Sequence, residues 1–282
     1  VQCAGENTAK SVREQLTKFG VAKDIDDETL KEVGEKPELP VRPPVLCAGC
    51  PHRASFYAVK QAMKEKEAVF CGDIGCYTLG NAKPLDMTDT CLCMGADVTI
   101  AQGLHRIEPE KVHFSFIGDS TFFASGITGV VNAVYNETDI VLIVLDNSTT
   151  AMTGHQPHPG TGVTMMDMVK KKDTNPKGEI THKISIEAVL KAIGVVSVEK
   201  VNPFELDKAI DAVKRAAQMK GVKAIIFKSP CIAVNKPKKA YSVSEKCIKC
   251  KKCINEIGCP AVTNIDGKIE IDSSLCFGCG LC

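Results

Sequence analysis

The chain has 282 residues, is 44% hydrophobic and 24% charged, and carries a formal net charge of +1. That length fills one substantial core with a small module appended, and the near-zero charge leaves no electrostatic footprint for nucleic acid. No apolar run reaches the roughly 18–20 residues that span a bilayer and no secretory signal opens the chain, so a cytoplasmic protein with no membrane partner is expected.

Residues 1–40 are polar and charged, with a short helix expected over 7–19 and a proline-bearing linker over 35–44. Helical character follows over 54–64, then a short strand over 68–70 and a glycine-bearing turn over 71–76. Residues 89–104, rich in Gly, Ala and Cys, suit a close-packed helix entry beside a ligand. An alternation comes next: strand 112–117, helix 123–135, strand 140–145 and a long loop over 148–162. Ser185 caps a helix to about residue 193, and residues 194–198 lead into another strand. Asn202-Pro203 opens a helix to about residue 219, and 223–228 form the last strand. Strands separated by helices of roughly ten to sixteen residues argue for an α/β, doubly wound parallel sheet. After Pro237-Lys238-Lys239 the composition shifts to short cysteine-dense loops. Three regions are therefore expected: an N-terminal helix and linker (1–40), the α/β domain (41–237) and a small C-terminal domain (238–282).

Gly118-Asp119-Ser120 ends one apolar run and Asp146-Asn147-Ser148-Thr149 ends the next, with Asp119 and Asn147 28 positions apart. Oxygen side chains at the carboxyl ends of two parallel strands can hold a hard cation such as Mg²⁺, which often bridges protein to a diphosphate. Either motif alone is a common strand-end turn; the pair, with glycines that let backbone approach phosphates, favours a site.

The fifteen cysteines could form a disulfide framework in a secreted protein, but they are grouped at metal-ligand spacings, and a cytosolic compartment keeps thiols reduced. Cys247, Cys250, Cys253 and Cys259-Pro260 are followed by Cys276, Cys279 and Cys282. Triplets at x2-x2 spacing wrap three corners of a cubane cluster and suit zinc poorly. Cys47, Cys50, Cys76 and Cys231 are scattered, and any one of them alone reads as a small buried hydrophobe. His52 could donate to a phosphate or a substrate carboxylate, and is as readily a structural histidine. The loop holding His155 and His158 lacks further nearby ligands and reads as an ordered, lid-like segment beside a cofactor, while Lys170-Lys171-Lys172 reads as solvated surface.

The strand-end pair resembles the thiamine diphosphate motif, Gly-Asp-Gly followed about 25 residues later by Asn-Asn, with Ser120 and Asp146 as departures. The resemblance implies Mg²⁺ ligation by the side chains of Asp119 and Asn147 and the backbone carbonyl of Thr149. Gly75, Gly118, Ser120 and His52 would stand against the cofactor. The tail resembles two-cluster bacterial ferredoxins, although five residues separate Cys253 from Cys259 where three are usual. By the ferredoxin cross-over rule Cys259 completes the Cys276, Cys279, Cys282 cluster, and Cys247, Cys250 and Cys253 hold another whose fourth ligand is expected just beyond Cys282. In their sequence contexts, Cys47, Cys50, Cys76 and Cys231 are similar to the cysteines of 2-oxoacid:ferredoxin oxidoreductases, which implies a proximal 4Fe–4S cluster close to the thiamine. Cys3, Cys71, Cys91 and Cys93 match no role; buried packing is expected for the last three.

Across residues 41–282, the runs from Arg42 to Arg53 and from Gly72 to Gly80 resemble the large subunits of indolepyruvate ferredoxin oxidoreductases. The resemblance implies an upstream pyrimidine-binding domain and a C-terminal fragment here. It also implies oxidative decarboxylation of aryl 2-oxoacids to acyl-coenzyme A, with electrons passing through 4Fe–4S clusters to ferredoxin. A small partner subunit, ferredoxin, coenzyme A and the 2-oxoacid are the expected partners. A pyruvate or branched-chain ferredoxin oxidoreductase, a non-oxidative thiamine decarboxylase and a pure electron-transfer subunit are the alternatives.

Overall fold

Alternation along each strand decides how the sheet is covered, because successive side chains point to opposite faces. In the strand Ile140–Asp146, Val141, Ile143 and Leu145 face one apolar layer, while Ile140, Leu142 and Val144 face the other. A strand buried on both sides belongs inside a sheet with helices on both faces, and a computed structural model shows that arrangement. It describes residues 8–23, 38–41, 43–164 and 182–282. Cys3, Asn7, Arg42 and Lys170 to Lys172 lie outside the described residues.

Two units are recognised, Val1–Pro43 and Pro44–Cys282. The first contains helix α1 (Ala9–Lys18), whose N-terminus is closed by reciprocal bonds between Thr8 and Ser11. The second holds a six-stranded, all-parallel sheet of β1 (Ala68–Gly72), β2 (Thr90–Cys91), β3 (Val112–Gly118), β4 (Ile140–Asp146), β5 (Ser197–Val201) and β6 (Val222–Lys228). Their spatial order is β2-β1-β3-β4-β6-β5. On one face, α2 (Pro51–Ala62) and α6 (Leu206–Ala216) pack on Phe114, Phe116, Ile225 and Phe227. On the other, α3 (Ala96–Ile107), α4 (Ile127–Tyr135) and α5 (Ile186–Ile193) cover Ile117, Leu142, Val144 and Ile226. The expected doubly wound α/β sheet is therefore present.

Several elements differ from expectation for local reasons. Helix α2 begins at Pro51, earlier than 54, because proline occupies the first helical position and loses no bond there. Helix α6 begins at Leu206 instead of directly at Pro203: Asn202 Oδ1 accepts the Phe204 N–H at 3.1 Å, closing a turn that delays the helix. Asp119–Thr121 and the π-helical turn Phe122–Gly126 run on from β3 into α4. The tail contains one short helix, α7 (Lys252–Asn255), and a hairpin of β7 (Val262–Ile265) and β8 (Lys268–Ile271). That hairpin turns at Asp266-Gly267, both with positive φ, which is the pairing a tight two-residue hairpin turn requires. Cys71 is buried as expected, but Cys91 and Cys93 are exposed. The first of these lies in the two-residue strand β2 and the second just beyond it, so neither reaches a packed layer.

Candidate functional site

In an open parallel sheet, ligands bind outside the carboxyl ends of the strands. Four segments leave those ends side by side here: Asp73 after β1, Asp119 after β3, Asn147 after β4 and Ser229 to Cys231 after β6. Asp119 is 3% exposed. Its Oδ1 accepts the Ser120 N–H at 2.9 Å and its Oδ2 accepts the Ser148 N–H at 2.8 Å, tying the β3 and β4 turns together. His158 Nε2 lies 3.1 Å from the same Oδ2, while His158 Nδ1 accepts the Gly160 N–H at 3.2 Å. The bond from Gly160 leaves Nε2 to carry the proton of a neutral ring, close to Asp119 but without a hydrogen bond to it. Burial pushes the Asp119 carboxyl above its usual range, with His158 pulling the other way.

Asn147 Oδ1 accepts the Thr149 N–H at 3.2 Å, and its Nδ2 donates to His52 Nε2 at 3.1 Å. His52 is buried at the start of α2, where loss of hydration lowers its pKa to about 4 and keeps the ring neutral. Gly75, Gly118, Asp119, Ser120, Asn147, Thr149 and His52 all line one cavity of about 100 Å³. All seven residues expected at the cofactor therefore stand on one cavity wall.

Sequence reasoning missed Asp73 and Tyr77. Asp73 accepts the Tyr77 hydroxyl at 2.7 Å and the N–H groups of Ile74 and Gly95, at 2.6 and 3.0 Å. A Cβ on Gly118 would stand 2.4 Å from the Tyr77 hydroxyl, so the glycine lets Tyr77 close the cavity floor. The loop with His155 and His158 is also more constrained than its sequence suggests. Thr150 bridges to Gln156, and His158 is buried against Asp119. Their roles depend in part on distant contacts, Gly95 and Gly118 for Asp73 and Asp119 for His158, which no local pattern announces.

The cysteines fall into separate neighbourhoods. Cys47, Cys50, Cys76 and Cys231 all line a second cavity of about 70 Å³, together with His52 and Asn147 from the first. Burial pushes the Cys50 thiol up to about 12, and burial followed by neighbouring thiols raises Cys76 and Cys231. Cys259, Cys276, Cys279 and Cys282 line a third, small cavity, whose wall includes Cys50 again. Cys247 and Cys250 are exposed; Cys253 is half-buried and feels both of them electrostatically. The sulfurs stand along cavity walls without closing on a point. Among the described residues, no three His, Cys, Asp or Glu side chains are gathered tightly enough to hold a metal ion.

The donor sets nonetheless match the expected groups in chemistry. Oxygen donors and close-approaching backbone suit a hard cation with a diphosphate, and four thiols on one wall suit all-cysteine cluster ligation.

The comparisons with known proteins point the same way. Residues 73–227 match the family described as thiamine pyrophosphate enzyme, C-terminal TPP binding domain. Indolepyruvate oxidoreductase subunit IorA of Archaeoglobus fulgidus is 44% identical over 253 residues, which is 87% of this chain and 39% of that protein. The subunit of the same name from Thermococcus kodakarensis is 36% identical, covering 98% of this chain and 45% of its own length. The chain thus spans about two fifths of the length of these curated relatives. Among solved structures, 2-oxoglutarate:ferredoxin oxidoreductase from Magnetococcus marinus, with 2-oxoglutarate, coenzyme A and succinyl-CoA bound, shares the fold. Its TM-score is 0.54 at 19% identity, covering 71% of this chain and 68% of that one. With a family match over more than half its residues and the thiamine-type strand ends in one cavity, the chain belongs to the thiamine pyrophosphate enzymes, alongside the indolepyruvate oxidoreductase IorA subunits.

Proposed function

We propose that this chain works within a larger 2-oxoacid:ferredoxin oxidoreductase. That enzyme would convert aryl 2-oxoacids such as indolepyruvate to acyl-coenzyme A and pass the electrons through 4Fe–4S clusters to ferredoxin. The observation that carries the reading is the adjacency of two cavities. The strand-end cavity and the Cys47, Cys50, Cys76, Cys231 cavity share His52, Cys76, Asn147 and Ala151 as common wall. A non-oxidative decarboxylase would have no use for four thiols beside its cofactor.

Thiamine diphosphate supplies an electron sink that lets a 2-oxoacid lose CO₂. Asp119, Asn147 and the Thr149 carbonyl would hold Mg²⁺ on its diphosphate. Ser120, Gly75 and Gly118 would line it, with Tyr77 closing behind. Neutral His52, fixed by Asn147, would orient at the boundary with the proximal cysteines without adding a charge. Residues 238–282 would form a ferredoxin-like domain with two further clusters. One would lie in Cys259, Cys276, Cys279 and Cys282, the other on Cys247, Cys250 and Cys253. A small partner subunit and ferredoxin would complete the assembly, in a cytoplasmic setting that keeps these thiols reduced.

The test is an anaerobic assay of the full-length complex for methyl viologen reduction with indolepyruvate, phenylpyruvate and pyruvate, each with and without coenzyme A. Coenzyme A-dependent reduction that prefers the aryl acids is expected. Preference for pyruvate would discard the aryl assignment, and no reduction with any acid would discard the reaction.

A further inference from the structure

Arg53 follows Cys50 by one helical turn in α2, and its position there is unusual for a cation. It is only 4% exposed. Its Nη1 donates to the carbonyls of Ile257 and Gly258, both at 2.8 Å, and its Nη2 donates to the Leu46 carbonyl. One side chain thereby fastens the loop that carries Cys47 to the segment that leads into Cys259. Its Nε–H is buried with no partner. Among the described residues, no carboxylate forms an ion pair with it.

A buried charge with neither counter-ion nor full hydrogen bonding is costly to fold, so its compensation has to come from another source. The groups around it that can carry negative charge are sulfurs. Arg53 lines the cavity of Cys259, Cys279 and Cys282, and Cys50 joins that cavity to the one holding Cys47, Cys76 and Cys231. Burial pulls the guanidinium below its usual range, and Cys259, Cys50, Cys47 and Cys279 would offset that pull as thiolates.

We propose that Arg53 is a positioning residue that holds these two cysteine cages together and sets the balance of reduction potential between the clusters they carry. This rests on the iron–sulfur reading of the cages given above. A cluster gains one negative charge when it takes one electron. A fixed cation on the wall of the cage therefore favours its reduced form. When one electron leaves the Cys47 cage and arrives at the Cys259 cage, no bond or proton moves, and Arg53 biases the exchange by charge alone.

The experiment is an anaerobic, EPR-monitored redox titration of the full-length complex as wild type, Arg53→Gln and Arg53→Lys. Iron content is measured on each, and a Cys279→Ser variant assigns the signal. At a fixed solution potential, Arg53→Gln is expected to move the reduced-to-oxidised ratio of the Cys259-cage cluster at least tenfold toward oxidised. That is about 59 mV for a one-electron couple. Arg53→Lys keeps the charge but cannot reproduce the fork across three carbonyls, and is expected to move the ratio at least threefold. A smaller change in Arg53→Gln with iron retained overturns the assignment. If that variant loses its iron, a change below threefold in Arg53→Lys overturns it instead. A wild-type complex without cluster spectra defeats the reading of the cages themselves. Wild-type clusters indifferent to Arg53 defeat only the role given to Arg53.

Discussion

Asp119 joins the β3 and β4 turns, since its two oxygens accept N–H groups from Ser120 and Ser148, and those turns would together hold the proposed diphosphate. Asp119→Ala removes a proposed cation ligand and leaves the Ser148 N–H only its longer bond to Asp146 Oδ1 at 3.2 Å. Hydrogen bonds to charged groups contribute about 1.5–3 kcal/mol. The variant should therefore bind thiamine diphosphate with Mg²⁺ at least about tenfold more weakly, as read by calorimetry on the complex. His158→Ala keeps every proposed ligand and loses the brace on the loop. It should weaken binding less than Asp119→Ala while speeding proteolysis between residues 150 and 158; equal losses in the two variants would mean that the brace matters as much as the ligand. Asp119 and Asn147 were legible in the sequence because each sits immediately after an apolar strand, whereas Thr149 followed only from the resemblance to the thiamine diphosphate motif. Tyr77 and Arg53 were not, because what they do depends on residues 44 and about 200 positions away.

At the scale of elements, strands β3, β4 and β6 were readable from their apolar runs. The two residues of β2 offered no run to read. The hairpin in the tail is a different case: Asp266-Gly267 is a strong turn signal, but the density of cysteines around it suggested loops alone. How the tail docks was invisible, because it turns on a glycine in the sheet-forming part of the chain. Gly49 has a φ of +77°, and a Cβ there would stand 2.3 Å from the Cβ of Phe277. Gly49→Ala combines a left-handed backbone penalty with overpacking, together about 2–5 kcal/mol. It should lower the urea midpoint of the complex and expose 238–282 to protease. Gly103→Ala, in the interior of α3 with nothing within 4 Å of the added carbon, should stabilise by up to about 1 kcal/mol. If both variants behave alike, contact with Phe277 is not what places the tail.

For the whole molecule, two buried groups set an opposed pH dependence. Burial lowers His52 to about 4, so the unfolded chain binds the extra proton between pH 4 and 6.5, and stability from this group rises with pH over that window. Burial raises Asp97 to about 8, with Ser115 donating to its Oδ2 and pulling the other way. There the folded chain holds the extra proton, and stability falls as pH rises from about 4 to 8. The two effects largely offset below pH 6.5. Between 6.5 and 8 His52 no longer contributes, and Asp97 by itself accounts for a loss of about 2 kcal/mol at 1.36 kcal/mol per pH unit. Urea unfolding across that range should show the decline in the wild type and a shallower one in Asp97→Asn; parallel profiles would exclude Asp97 as the cause.

The bonds from Arg53 to Ile257 and Gly258 join residues more than 200 positions apart, and the consequence is one of timing during synthesis. At roughly 5–20 residues per second, a ribosome needs about 10–40 s to extend the chain from one partner to the other. Through that interval the loop bearing Cys47 and Cys50 has neither its tail carbonyls nor the Phe277 ring over Gly49. The nascent chain thus keeps Cys47 and Cys50 uncovered until the tail emerges, so any cofactor they are proposed to hold could be loaded before the tail closes over them.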